Sequence, residues 1–323
     1  MFLNSKSFLV VFCLCFCLGL SPAEAWDKTS ARSVSHYMMG VIYEDLEDFD
    51  QAIQEYQKAI QFSAQNTSAR FKLASSYFKK NDLPAAITQL KLVVTDDVDD
   101  VQAHALLSLI YSLRQEEAPA LAEFEIALKN ASALAPENVE VYKCLGDLYF
   151  RQNKLVQARG MYKLITGLNP DDPEGYFYLA SVEYELKNFP EAEIAFKSAL
   201  KLNPDYHQAL NSLGYAYLEK NKNINAAGKM IKKALKLDPE NPAYLDSLGW
   251  FYFKKGKFSD AKIQLEKASA LLEDPVIFDH LGDLYFKTGD LKNAGSSWKH
   301  SLELDSLSEP VKQKLEKLKS HEK

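Results

Sequence analysis

The sequence predicts an all-α solenoid of about eight helix–turn–helix repeats followed by a capping helix. A first series of small residues recurs at intervals of 34, 34, 38, 34, 34, 35 and 33: Gly40, Ala74, Ser108, Gly146, Ala180, Gly214, Gly249 and Gly282. A second series lies 12 residues later, or 13 in the sixth repeat: Ala52, Ala86, Ala120, Ala158, Ala192, Ala227, Ala261 and Ala294. Good helix formers dominate the composition, whereas Gly (13) and Pro (12) are scarce. Because helix axes approach closely only where side chains are small, each pair of positions indicates two packed helices.

Residues 1–25 have the pattern of a secretory signal peptide. Lys6 precedes an apolar run from Phe8 to Leu20, and Ala23-Glu24-Ala25 has small residues at both ends. The run is short for a membrane span. We expect cleavage after Ala25, export of the chain and no membrane span in the mature protein; an uncleaved anchor is the alternative.

Residues 26–138 are predicted to form repeats 1–3. Repeat 3 carries four extra residues after Ala127, before Pro136. Four residues make about one helical turn, so the second helix of repeat 3 is expected to be longer than the others.

Residues 139–306 are predicted to form repeats 4–8, with more regular spacing. Pro170, Pro204 and Pro239 each follow a predicted second helix, as Pro does after a helix end. The extra residue of repeat 6 is expected in the turn at Lys220–Asn223, where a loop absorbs it at little cost.

Residues 307–323 are predicted to form a capping helix and a tail. Ser308 is a suitable N-cap before Glu309-Pro310, and Val311, Leu315 and Leu318 recur at helical spacing. A terminal repeat needs such a cap because it otherwise presents apolar side chains to water. Binding of a partner helix is the alternative role.

The repeats resemble the tetratricopeptide repeat (TPR). Repeat 4 shows the pattern in Tyr142, Leu145-Gly146, Tyr149, Ala158, Tyr162 and Pro170. The resemblance implies a right-handed superhelical solenoid whose concave face is lined by the first helix of each repeat. The C-terminal half is similar to bacterial exported TPR proteins in the segments Asn241–Trp250 and Asp274–Asp283. That similarity implies a periplasmic location, with the extracellular space as the alternative.

The sequence offers no pattern for catalysis, a metal or a cofactor. It lacks a Gly-rich phosphate loop, a nucleophile elbow and paired Cys motifs. The net charge of −6 is spread along the chain and predicts no nucleic-acid partner. Asp279, His280 and Asp283 lie within one turn, but we expect them on different helix faces and not as metal ligands. After signal cleavage Cys144 is alone, so no internal disulfide is possible, and we expect it to be buried.

The candidate binding residues lie on the first helices of repeats 6–8. Tyr215 and Trp250 directly follow small glycines, where a small polar residue is more usual in the family. The same face is predicted to include Asp246, Phe253, Asp279, Asp283 and Phe286. The carboxylates favour a ligand with basic and apolar side chains; the alternative is that the aromatic residues only pack.

The sequence therefore predicts a protein without enzymatic activity. We expect a protein- or peptide-binding scaffold or assembly factor outside the cytoplasm, with the ligand on the concave face. The alternative is a carbohydrate- or cell-wall-associated binding module, or an accessory subunit of an envelope enzyme. No oligomeric state is indicated.

Overall fold

The computed structural model describes residues 28–321, so the predicted signal peptide lies outside the described residues. Seventeen α-helices and no strand make up this part of the chain. It divides into two compact units, one ending at Val141 and one beginning at Tyr142. The all-helical prediction is confirmed, and the helix pairs fit about eight repeats.

The first unit contains three helix pairs, in which each helix packs against the next along the chain. Its helices are α1 Lys28–Asp45, α2 Phe49–Phe62, α3 Thr67–Lys79, α4 Leu83–Asp96, α5 Val101–Leu113 and α6 Glu117–Leu134. Tyr56 and Leu90 are fully buried in its core.

The second unit continues the same pattern, starting from α7, which spans the boundary. Its helices are α7 Val139–Arg151, α8 Leu155–Leu168, α9 Pro173–Glu185, α10 Phe189–Leu202, α11 His207–Glu219, α12 Ile224–Leu237, α13 Pro242–Lys254, α14 Phe258–Leu271, α15 Pro275–Lys287, α16 Leu291–Leu304 and α17 Glu309–His321. From α9 onward the first helices of successive repeats also contact one another. Side chains from several repeats can therefore meet on one face of this unit.

Small residues lie where the helices approach most closely. Every member of the second small-residue series is buried, and the most accessible, Ala120, is only 7% exposed. Asp and Asn side chains cap many of the helices; Asp100, for example, accepts a hydrogen bond from the amide of Ala103 at 2.8 Å. The repeat period thus sets the packing, and polar caps satisfy the helix ends.

Both predicted spacing irregularities are located as expected. The second helix α6 has 18 residues, whereas α2 and α4 have 14. The turn before α12 holds two residues with positive φ, Asn221 at 48° and Asn223 at 50°. The other turns within repeats hold one each: Glu47, Asn81, Gln115, Asn153, Lys187, Gly256 and Gly289. The extra residue of repeat 6 therefore lies in its turn.

Two further expectations have different outcomes. The helix predicted after Ser308 is present as α17, and its Val311 and Leu318 are buried against the last repeat. Cys144, however, is exposed, contrary to our expectation. Cys144 lies two residues before Gly146, which packs on Tyr162. Two residues correspond to about 200° around a helix, so Cys144 lies on the opposite side of α7.

Candidate functional site

The first helices of five successive repeats line a cavity of about 350 Å³ in the second unit. Its wall alternates hydroxyl, amide and aromatic groups with a few carboxylates. The lining residues are Phe150, Ser181, Tyr184, Glu185, Phe196, Asn211, Ser212, Tyr215, Ala243, Asp246, Ser247, Leu272, Asp274, Val276 and Ile277. The volume suits a few side chains or a short segment of backbone.

Asn211, on α11, is the unusual polar residue of this wall. Its side chain is only 9% exposed. The Oδ1 atom is buried and has no hydrogen-bond partner among the described residues. A buried polar atom without a partner costs about 1–3 kcal/mol, so its presence beside a cavity needs an explanation.

Asp246, on α13, reaches the cavity but is bonded to another repeat. Its two carboxylate oxygens lie 2.8 and 3.1 Å from Nδ1 of His280 on α15, and both side chains are buried. Burial disfavours the charged imidazole, but the carboxylate of Asp246, together with those of Asp279 and Glu219, outweighs this effect and raises the pKa of His280 above its ordinary value. The pair joins repeats 7 and 8 and reduces the charge that Asp246 offers to a ligand.

Trp250 is held on three sides. Its indole stacks on His280 at 4.1 Å between ring centroids and on Phe253 at 4.7 Å. Its Nε1 donates a hydrogen bond of 2.7 Å to Glu219 of α11. The ring is 6% exposed and both of its faces are covered, so it acts in packing between repeats 6, 7 and 8.

Asp279 and Asp283 are held by the capping helix. Nζ of Lys314 on α17 lies 2.7 Å from a carboxylate oxygen of each. Phe286, farther along α15, packs on Trp298 of α16 with ring centroids 5.5 Å apart. None of these three α15 residues is among the residues that line the cavity.

The structure thus separates the seven predicted residues into two sets. Tyr215 and Asp246 line the cavity. The remaining five lie around it in contacts between helices: Trp250, Phe253, Asp279, Asp283 and Phe286.

Asn211 was missed by the sequence analysis, although the pattern contained a signal for it. It lies three residues before Gly214, as Asp246 lies before Gly249 and Asp279 before Gly282. Examining the position three residues before the small residue in every repeat would have identified Asn211.

The cavity offers polar binding groups, and the charged residues among its lining are all acidic. Tyr215 and Tyr184 supply hydroxyl groups, and burial raises the pKa of Tyr184 to about 12, so that it remains a neutral donor. Three carboxylates and no Lys, Arg or His are among the lining residues.

No group of three or more potential metal ligands is assembled within the described residues. No described helix is both long and apolar enough to cross a membrane.

Comparison with known proteins agrees with the repeat architecture. Models of the tetratricopeptide repeat match residues 45–110 and, in overlapping segments, 118–173, 145–207 and 177–242. Together these segments cover more than half of the chain.

Individual relatives are distant. Protein O-mannosyl-transferase TMTC1 of Homo sapiens is 25% identical over 197 residues, which are 57% of this chain and 21% of that protein. The chain spans at most 37% of the length of the curated relatives that it matches.

Solved structures share the fold. A tetratricopeptide repeat protein from Parabacteroides merdae ATCC 43184 gives a TM-score of 0.60 at 19% identity, covering 79% of this chain and 98% of its own. The Cut9–Hcn1 hetero-tetramer of APC/C contains a chain with a TM-score of 0.57 at 16% identity, covering 98% of this chain and 76% of its own. The repeat spacing, the helix pairs and the matched family models together show that this chain belongs to the tetratricopeptide repeat family.

Proposed function

We propose that the protein is a non-catalytic scaffold whose second unit holds a segment of a partner protein or peptide in the cavity beside Asn211 and Tyr215. The tetratricopeptide fold indicates a role in protein interaction or assembly. TMTC1 is a transferase by name, but the matched segment is about a fifth of it. That match gives no support to a transferase activity here.

The single observation that carries the proposal is the buried Oδ1 atom of Asn211, which has no hydrogen-bond partner among the described residues. A side-chain amide offers the same donor and acceptor pair as a peptide group, so the two can hydrogen-bond in a complementary way. The buried position excludes water, which makes such a hydrogen bond stronger and its absence more costly. A peptide backbone in the cavity would supply the partner that Asn211 lacks.

The rest of the wall favours a basic and apolar segment. Phe150, Tyr184 and Tyr215 provide aromatic surface. Glu185 is an exposed carboxylate at the cavity whose ion pair with the exposed Lys187 is long, at 3.9 Å, whereas Asp246 is engaged with His280 at 2.8 Å and Asp274 caps α15. One Lys or Arg side chain of the ligand, placed near Glu185, fits this arrangement better than an acidic segment does.

Binding of a selected peptide tests the proposal. A displayed library of linear peptides is selected against the full chain, and the affinity of a recovered peptide is measured by calorimetry. The variant Asn211→Leu keeps the side-chain size but removes the amide. We expect it to weaken binding about 10–100-fold and to leave the chain at least as stable to urea, because an unsatisfied buried group is lost.

The control is Asn225→Leu on α12, outside the cavity, which should leave the affinity unchanged. Equal affinity in Asn211→Leu would contradict the proposal, and so would loss of binding together with loss of stability. Binding of glycans but not of peptides would instead favour the carbohydrate-binding alternative. In that case Tyr184 and Tyr215 would have to supply the aromatic surface, because both faces of Trp250 are covered.

We also propose that the protein acts outside the cytoplasm, with the periplasm as its compartment. The support is the pattern of residues 1–25 and the similarity to exported bacterial repeat proteins. Fusing these residues to a phosphatase that is active only after export should give activity, and the mature chain should begin at Trp26. An inactive fusion, or a mature chain that begins at Met1, would contradict export by cleavage.

A further inference from the structure

Within the described residues, the first helix, α1, leaves an apolar face uncovered. Met39 and Ile42 of α1 are 38% and 47% exposed, and Leu46, just after the helix, is 69% exposed. Ser35, one turn before Met39, is exposed as well. These four residues, called the open face below, share one side of α1 because they are spaced by three or four positions.

Later repeats show what covers the same positions. Leu107 and Ile110 of α5 occupy the repeat positions of Met39 and Ile42, and both are 0% exposed. In the first unit α2 packs on α3 and α4 packs on α5, so the second helix of the preceding repeat buries these positions. No helix precedes α1 within the described residues. The open face therefore has the shape and polarity of a surface on which a helix packs.

The charges at the two ends of α1 indicate which helix fits. Lys28 and Arg32 lie at its beginning, and Asp45, Glu47 and Asp48 lie at or just after its end. All five are exposed. Lys28, Asp45 and Glu47 have no ion-pair partner within the described part of the chain.

A second copy of α1, running antiparallel, complements this distribution. If two helices cross between Met38 and Met39, Arg32 of one copy lies opposite Asp45 of the other, and Lys28 lies towards the turn that follows the other helix and holds Glu47 and Asp48. Ile42 then lies opposite the small Ser35. Parallel helices would instead place like charges together.

We infer that the open face joins two copies of this chain through antiparallel packing of their α1 helices. The contact is isologous, so it closes at a dimer and does not propagate. The apolar area is small, and we expect a reversible dimer with a dissociation constant that is roughly micromolar.

Sedimentation velocity over a concentration series tests the inference on the full chain and on the chain without residues 1–25. Both should show a monomer–dimer equilibrium, and Ile42→Lys should weaken it at least tenfold. Leu109→Lys, on α5 and also 47% exposed in the wild type, is the matched control and should leave it unchanged.

Charge reversal tests the antiparallel register. Arg32→Glu and Asp45→Lys should each reduce dimerisation, because each places like charges together twice. An equimolar mixture of the two variants should dimerise like wild type, because both opposite-charge pairs are restored. Circular dichroism checks that each variant is folded.

Several outcomes would overturn the inference. A monomer at all concentrations would do so, as would a dimer that persists in Ile42→Lys. A full chain that stays monomeric while the chain without residues 1–25 dimerises would show that the N-terminal segment covers the open face. A mixture that stays monomeric would exclude the antiparallel register.

Discussion

His280 lies between a carboxylate and an aromatic ring, and this position makes a contact between repeats sensitive to pH. Asp246 and Trp250 face it from α13, Tyr215 and Glu219 lie on α11, and Asp279 lies on its own helix. Burial opposes protonation, but the nearby carboxylates favour it more strongly, so the pKa of His280 is raised.

The second unit should therefore lose stability as the pH rises. A folded-state pKa above the unfolded value of about 6.5 adds stability that is complete below that pH. This contribution disappears as the pH rises through the raised pKa. Urea unfolding between pH 6 and 9 should show the decline, and Trp250 fluorescence should rise as the stacked imidazole loses its charge.

His280→Asn should remove both responses, since Asn can still hydrogen-bond to Asp246 but does not titrate. His300→Asn, on the more accessible surface of α16, is the control and should keep them. A wild-type chain whose stability is flat across this range would refute the prediction.

At the residue scale, the sequence predicted where the acidic residues lie on the helices better than it predicted which residues they pair with. Asp246, Asp279 and Asp283 were predicted to attract a ligand; in the structure Asp246 pairs with His280, and Asp279 and Asp283 share Lys314. These partners lie 31 to 35 residues away, and whether they meet depends on the rotation between successive helix pairs and on the reach of Lys314. A repeat spacing does not contain that information.

At the scale of a helix pair, the two series of small residues were sufficient to predict which helices pack together. The turns between paired helices each place a residue in the left-handed region, where Asn and Gly are favoured. Lys187, at φ 64°, and Glu47, at φ 59°, adopt the same turn without that preference. The repeat geometry therefore determines the left-handed conformation in the turn. The residue at that position changes only the free energy needed to adopt it.

Packing between α15 and α16 should not tolerate a larger residue at Gly282. A Cβ atom there would lie 2.4 Å from the indole of Trp298, which is 2% exposed and has little room to move. Gly282→Ala should lower the free energy of unfolding by about 1–3 kcal/mol, measured in urea.

Gly160→Ala is the matched control, because nothing lies within 4 Å of the added atom in the interior of α8. It should raise stability by up to about 1 kcal/mol, the difference in helix propensity. If both substitutions change stability in the same direction, close packing at Gly282 is not the reason for its small residue.

At the scale of the whole molecule, the two units offer different surfaces. The first unit has the open face on α1, and the second has the cavity beside Asn211. The eight-fold period predicted the order of the helices along both units. It could not predict the cavity, whose walls depend on how five first helices are placed around it, or the open face, which follows from the lack of a packed helix before α1 among the described residues.

The capping helix provides a last prediction, because a solenoid transmits stability mainly between neighbouring repeats. Val311 of α17 is 2% exposed against Ala294 and Trp298, so Val311→Asp buries a carboxylate without a partner and should cost more than about 2 kcal/mol locally. Hydrogen exchange followed by mass spectrometry should show the largest loss of protection in α16, less in α15 and little in α9. Leu307→Asp, at an 80% exposed position, is the control and should change nothing. A uniform loss of protection from α9 to α16 would mean that the second unit unfolds as one cooperative body, not repeat by repeat.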